Sequence, residues 1–376
     1  MTDAEKLLRE LIALPSVNPA FLPGNDARAG EGRVADFIAV TAACAGLAID
    51  FQKVLPGRSN ILATLSPSGK VKQRLLLAPH LDTVNVVSDK QFVPRTADGR
   101  IYGRGACDTK GSVAAMLTAL SRLARRGQRP ATTEIVFAGL MDEENAQAGS
   151  RALAASDFQA DLAIVGEPTC LQIVTAHKGS LWLRLETRGK AAHGSCPHLG
   201  KNAVHEMARI VDLLETGYAQ HLQQRRHPLL GPPTINIGFI QGGTQPNIVP
   251  ASCVAGADRR TLPGETELSV RAEINSWLRR HGLRATLTSE KSLYCLPLET
   301  NPRLPLVQKF LRAARQKKPA GVNFFCDASI LAQSGIPSIV FGPGDIAQAH
   351  TDDEWVAQKS LEDATALLLK FLRDLP

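Results

Sequence analysis

The chain lacks any CxxC pair: its seven cysteines (positions 44, 107, 170, 196, 253, 295 and 326) are scattered singly. With no dense disulfide framework, the expected setting is a reducing cytosol. No uninterrupted apolar run is long enough to span a bilayer, and the opening Met1-Thr2-Asp3-Ala4-Glu5-Lys6 lacks the basic-then-apolar order of a secretory signal. A soluble cytoplasmic protein is therefore expected. Aromatic residues make up only 5% of the chain, and few lie among the lysines and arginines. The net charge of +7 is thus diffuse, which argues against a nucleic-acid partner. Repeats and low-complexity tails are also missing.

What is present is a globular composition, 44% hydrophobic and 21% charged, over 376 residues. That length exceeds one comfortable core and predicts two domains, possibly one inserted in the other. Helical spacing is read at Glu5 to Leu14, Gly32 to Ala45, Val113 to Leu123 and Ser150 to Ala155. Strands are read at Ile61 to Leu65, Arg74 to Ala78, Glu134 to Ala138 and Asp161 to Val165. The order predicts an α/β domain with a largely parallel sheet covered by helices, whose carboxyl-terminal edge is the natural place for a ligand. After Glu167 the character changes. Strands at Ser180 to Thr187, Thr234 to Ile240 and Val254 to Asp258, with helices at Ala203 to Thr216 and Glu267 to Arg280, predict an inserted α+β domain over 178–290. The remaining segments, 1–177 and 291–376, form the first domain, with a helix at Leu304 to Ala314, a strand at Pro337 to Phe341 and a final helix at Ser360 to Leu372.

Ionisable residues gather where these strands end. Arg74 to Ala78 runs through Pro79 into His80, with Asp82 two residues on. A neutral imidazole can bind a metal while a carboxylate holds its other nitrogen, although a histidine after a buried strand is also commonly structural. Asp108 lies in the glycine-flanked turn Arg104-Gly105-Ala106-Cys107-Asp108-Thr109-Lys110-Gly111 before a helix. It reads either as an N-cap or turn aspartate or as a carboxylate bridging two divalent ions. Asp142-Glu143-Glu144 closely follows an apolar strand, where one acid can bind an ion and the next can move a proton; a solvated charge run is the alternative. Glu167 ends another strand, where a salt-bridged surface glutamate is the alternative. His350 follows the loop Phe341-Gly342-Pro343-Gly344 and reads either as an exposed loop histidine or as the second imidazole. Imidazole and carboxylate donors without thiolate suit zinc or a similar first-row ion.

In this order, APHLDT (78–83), GRGACDTKG (103–111), DEE (142–144), GEPT (166–169) and GPGDIAQAHTDDE (342–354) form a highly specific set. Over nearly its whole length the chain resembles the zinc aminoacylase and carboxypeptidase family, the M20 metallopeptidases, which includes acetylornithine deacetylase, succinyl-diaminopimelate desuccinylase and carboxypeptidase G2. The resemblance implies two divalent ions, zinc with cobalt or manganese as alternatives. His80 and Glu167 would hold one ion, Glu144 and His350 the other, and Asp108 would bridge them. Asp82 would orient His80, Glu143 would be the general base and later acid, and a cis peptide would follow Asp108. The inserted domain would be a lid and dimerisation domain of a homodimer. His193, in Gly189-Lys190-Ala191-Ala192-His193-Gly194-Ser195, would enter the neighbouring subunit's site. Asn247 would help bind substrate, and Arg260 would meet a substrate carboxylate, with a structural salt bridge as the alternative for that arginine. Ala176-His177-Lys178-Gly179 and GEPT resemble the acetylornithine deacetylase branch. The expected reaction is hydrolysis of the amide in an N-acyl amino acid, with N-succinyl-diaminopimelate, dipeptides or C-terminal glutamate conjugates as alternatives.

Overall fold

The structure, a computed structural model, describes residues 1–290 and 294–376. It divides into two compact units: 1–175, 300–320 and 326–376 in the first, and 176–299 with 321–325 in the second. Residue 291, where the first domain was expected to resume, lies outside the described residues.

The first unit is built on a mixed sheet whose centre is parallel. Thr133–Gly139, Gln73–Pro79, Leu162–Gly166 and Ser338–Val340 lie side by side in that order, all pointing the same way. Antiparallel strands flank this core, Ala48–Leu55 and Arg58–Leu65 on one side and Val174–His177 on the other. The central strands carry unbroken apolar runs because both faces are covered: Leu75, Leu77, Ile135, Phe137, Leu162, Ile164 and Ile339 all lie in one buried core. The helix Lys110–Arg125 is longer at both ends than its apolar spacing predicts, and 13 of its 16 residues are buried, as expected of a helix enclosed on nearly every side. Asp3–Ile12 and Gln358–Arg373 pack against it. A small antiparallel sheet of Arg95–Ala97, Arg100–Tyr102 and Trp355–Ala357 joins a segment near the end of the chain's first quarter to its last quarter.

The second unit is an antiparallel sheet in the order Thr234–Gly242, Ser252–Thr261, Gly179–Arg188, Thr286–Ser289. Alternation along Gly179–Arg188 buries Leu181, Leu183 and Leu185 and exposes Trp182, Arg184 and Arg188. The buried face packs on Met207 and Ile210 of Ala203–Leu213 and on Val270, Ile274 and Leu278 of Glu267–Arg280. The helix expected to run to Thr216 stops at Leu213 and continues as one π turn, Leu214–Tyr218. Among the described residues no helix is long and apolar enough to cross a membrane.

Candidate metal centre

Parallel strands deliver their carboxyl ends to one sheet edge, and four of them do so here. Pro79 pairs with Gly166, and His80 bridges Leu140, so His80, the Met141–Glu144 turn and Glu167 emerge together. Ser338–Val340 leads through Phe341 and Gly342 towards His350. Asp108 comes from the loop before Lys110–Arg125. The helix N-cap is Thr109, which makes no side-chain capping bond, so Asp108 is not a cap. Thr109 instead donates to the carbonyl of Gly166 at 2.7 Å, tying the Asp108 loop to the strand end that carries Glu167. The Asp108–Thr109 peptide is cis.

The two oxygens of Asp108 face different imidazoles. Oδ1 lies 3.0 Å from His80 Nε2, and Oδ2 lies 3.2 Å from His350 Nε2. Each imidazole has a glutamate beside it, Glu167 at 3.8 Å from His80 and Glu144 at 3.2 Å from His350. His80, Asp108 and Glu144 present donor atoms all within 4.8 Å of one another. Two donors on a tetrahedral zinc stand about 3.3 Å apart, close to these imidazole–carboxylate separations. Glu144 Oε1 is buried with no hydrogen-bond partner, an orphaned acceptor that a cation would satisfy. The donor set is imidazole and carboxylate only, which suits zinc or its neighbours. The nearby Cys107 donates to the Asp345 carbonyl, and burial pushes its thiol far up, away from the thiolate a metal needs.

The electrostatics describe a well of negative charge. Burial pushes the Glu143 and Glu167 carboxyls well above the usual range; Glu167 adds to the rise at Glu143, and Asp108, Asp327 and Glu144 add to that at Glu167. Burial and the adjacent Asp108 carry Glu144 to about 7. Hydrogen bonds donated to the Asp108 and Glu144 carboxylates lift His350 to about 10. At His80 burial works against the charge, but the Asp108 and Asp82 carboxylates more than offset it. A divalent ion would offset such crowded acids directly.

Asp82 was expected to orient His80, yet the nearest partner of His80 Nδ1 is the Asp82 backbone carbonyl at 3.0 Å, with the carboxylate at 3.5 Å. The carboxylate, which also faces His80, is held by further donors. It accepts the backbone N–H groups of Glu143 and Glu144 at 3.0 and 3.1 Å and the amide of Asn18 at 2.7 Å. Asn18 also donates to Asp142 at 2.9 Å, and Asp142 and Glu31 both pair with Arg58. Asn18, Glu31, Asp142 and Asp327 were not singled out by the sequence. Asp327 is 1% exposed, takes bonds from Ser150 and Gln147, and is raised to about 6 chiefly by burial.

His193, Asn247 and Arg260 lie in the second unit. His193 is exposed, with Nδ1 2.7 Å from Ser195 Oγ, and its strand segment bridges Ile248 while Gly194 N donates to the Asn247 carbonyl at 2.7 Å. Arg260 donates from Nε to Asp258 at 2.9 Å and sits over the Phe325 ring, so the ion pair expected as its alternative is present.

Known proteins match this arrangement at the level of sequence and of fold. The chain is 31% identical to an acetylornithine deacetylase of Myxococcus xanthus, covering 89% of this chain and 90% of that one. It is 32% identical to the acetylornithine deacetylase of Edwardsiella ictaluri (strain 93-146), covering 97% and 96%. Its fold superposes on the aminopeptidase PepT of Bacillus cereus ATCC 10987 with a TM-score of 0.79 at 21% identity, covering 99% of this chain and 97% of that one. A metallo-carboxypeptidase of Sulfolobus solfataricus superposes at 0.75 with 20% identity, covering 99% of each. Residues 76–374 match the model of peptidase family M20/M25/M40, and the chain belongs to that family.

Proposed function

We propose that the chain is a metal-dependent amidohydrolase acting on N-acyl amino acids, with an N-acetyl amino acid that keeps a free carboxylate as preferred substrate. What carries the reading is the geometry of Asp108, one oxygen turned to His80 and the other to His350, each imidazole beside its own glutamate. In this reading His80 and Glu167 hold one divalent ion, Glu144 and His350 a second, and Asp108 bridges them. When bound, such a pair supplies Lewis acidity towards an amide carbonyl and lowers the pKa of water.

The remaining chemistry belongs to side chains. Glu143 is the general base: its carboxylate makes no hydrogen bond or ion pair among the described residues, and its backbone is held by Asp82. It removes a proton from water and later delivers it to the departing amine. Asp82 fixes both the Glu143–Glu144 turn and the His80 segment. His193, supplied by a second copy of the chain, donates a hydrogen bond to the oxyanion that develops on the acyl carbon. Asn247 and Arg260 hold the substrate, the guanidinium taking its carboxylate. Similarity to acetylornithine deacetylases along nearly the whole chain supports the acetyl preference.

The test strips the protein with a chelator, restores it with zinc, cobalt or manganese, and assays N-acetyl, N-succinyl and dipeptide substrates. N-acetyl amino acids are expected to turn over fastest, with activity lost on chelation and regained with metal. Preference for the succinyl or dipeptide substrates would move the specificity within the class. Absence of metal-dependent turnover across the panel would refute the function.

A further inference from the structure

We propose that Glu354 is a positioning residue: its carboxylate locks the Asp108 and His350 segments into one register and so sets the affinity of the metal centre. The inference rests on the metal-binding role given above to Asp108 and His350. Glu354 is 1% exposed and has four donors around it. Oε1 accepts the backbone N–H groups of Cys107 and Asp108 at 2.8 and 2.9 Å, and Oε2 accepts Gly105 N at 2.9 Å and Arg104 Nη1 at 2.8 Å. All four lone-pair sites of a carboxylate are used in this way. The Glu354 backbone carbonyl adds a fifth bond, accepting Gly103 N at 3.0 Å. Every residue from 103 to 108 except Ala106 is thus tied directly to Glu354, and Ala106 N closes onto the Gly103 carbonyl at 3.0 Å.

The flanking elements explain why this clamp reaches the site. Trp355 pairs with Tyr102 in the small sheet, so the two chains leave that sheet together, one into Gly103–Asp108 and the other back through Glu354 to His350. Asp108 is one bond from the clamp and His350 four residues from it. Neither segment has its own regular structure around the ligand, and His350 itself holds a left-handed backbone, φ 62°. A buried carboxylate is costly unless its hydrogen bonds are complete, and that of Glu354 is complete only while both segments keep this register. Glutamine at this position would turn an amide donor towards two of the four donors, and aspartate would fall one methylene short.

The test compares wild type with Glu354→Gln, Glu354→Asp and, as a control for plain loss of stability, Leu8→Ala in the buried apolar core. Zinc dissociation constants are measured by competition with a chromophoric chelator, and folding of the metal-free proteins by circular dichroism and thermal melting. Both Glu354 variants are expected to bind zinc about 10–100-fold more weakly while remaining folded. Leu8→Ala is expected to melt lower with Kd unchanged. If Glu354→Gln does not fold, Glu354→Asp, which keeps the charge, decides. Folded Glu354 variants with the wild-type Kd overturn this inference, whereas a wild-type protein that takes up no metal overturns the proposed function instead.

Discussion

In the proposed mechanism Glu143 and Glu144 are neighbours with opposite duties, and the difference lies in what each carboxylate faces. Glu144 meets His350 at 3.2 Å, whereas among the described residues the Glu143 carboxylate has no hydrogen-bond or ion-pair partner and its backbone N–H is held by Asp82. In that mechanism, replacing Glu143 with alanine would remove the proton carrier without removing a metal donor. Glu143→Ala is expected to keep its metal content, measured by elemental analysis, while kcat falls by about 100- to 10,000-fold; retained turnover would refute the assignment. These residues stood out in the sequence because they closely follow the apolar strand Thr133–Gly139, a signal confined to a few adjacent positions. Glu354, Asn18, Glu31 and Arg58 were not. Their partners lie far along the chain, 246 to 250 residues away for Glu354, 64 and 124 for Asn18 and 27 for the Glu31–Arg58 pair, and nothing local distinguishes them from surface polar residues.

At the scale of elements, apolar runs betrayed the central strands and the neighbouring Ile61 to Leu65, but not the two outer flanks. Ala48–Leu55 alternates between exposed and half-buried positions at the sheet edge, so it has no apolar stripe to read, and Val174–His177 is too short to stand out. Antiparallel pairing at both margins was hidden for the same reason. The close approach of the Lys110–Arg125 helix to the strand ends is equally silent in sequence, although glycines mark it. A Cβ at Gly166 would lie 2.8 Å from Ser112 Cβ and 2.9 Å from Pro79 Cβ. Gly166 directly precedes Glu167, and its carbonyl takes the Thr109 hydroxyl. Gly166→Ala must push helix and strand apart at the centre of the site. We expect a loss of about 1–3 kcal/mol in urea unfolding, together with weaker zinc binding; a variant as stable and as metal-avid as wild type would show that the edge tolerates movement.

For the whole molecule, the change in patterning after Glu167 pointed to a second unit, since alternation over 181–188 marks a sheet covered on one face whereas the first unit's central strands carry unbroken apolar runs. What no pattern in one chain reveals is whether a second copy completes the site. The proposal that His193 acts across a dimer has a consequence that a site contained in one chain does not share. In a symmetric dimer each site would take Glu143 from one subunit and His193 from the other. A heterodimer of Glu143→Ala and His193→Ala subunits then carries both defects in one site and neither in the other. Two nearly inactive variants, unfolded and refolded together in equal amounts, should form heterodimers as half of all dimers and recover about a quarter of wild-type turnover. If both residues serve the same chain's site, every site in the mixture carries one lesion and no activity returns. Sedimentation of the mixture distinguishes the remaining case: a monomer that is fully active as wild type removes His193 from the partner's site altogether.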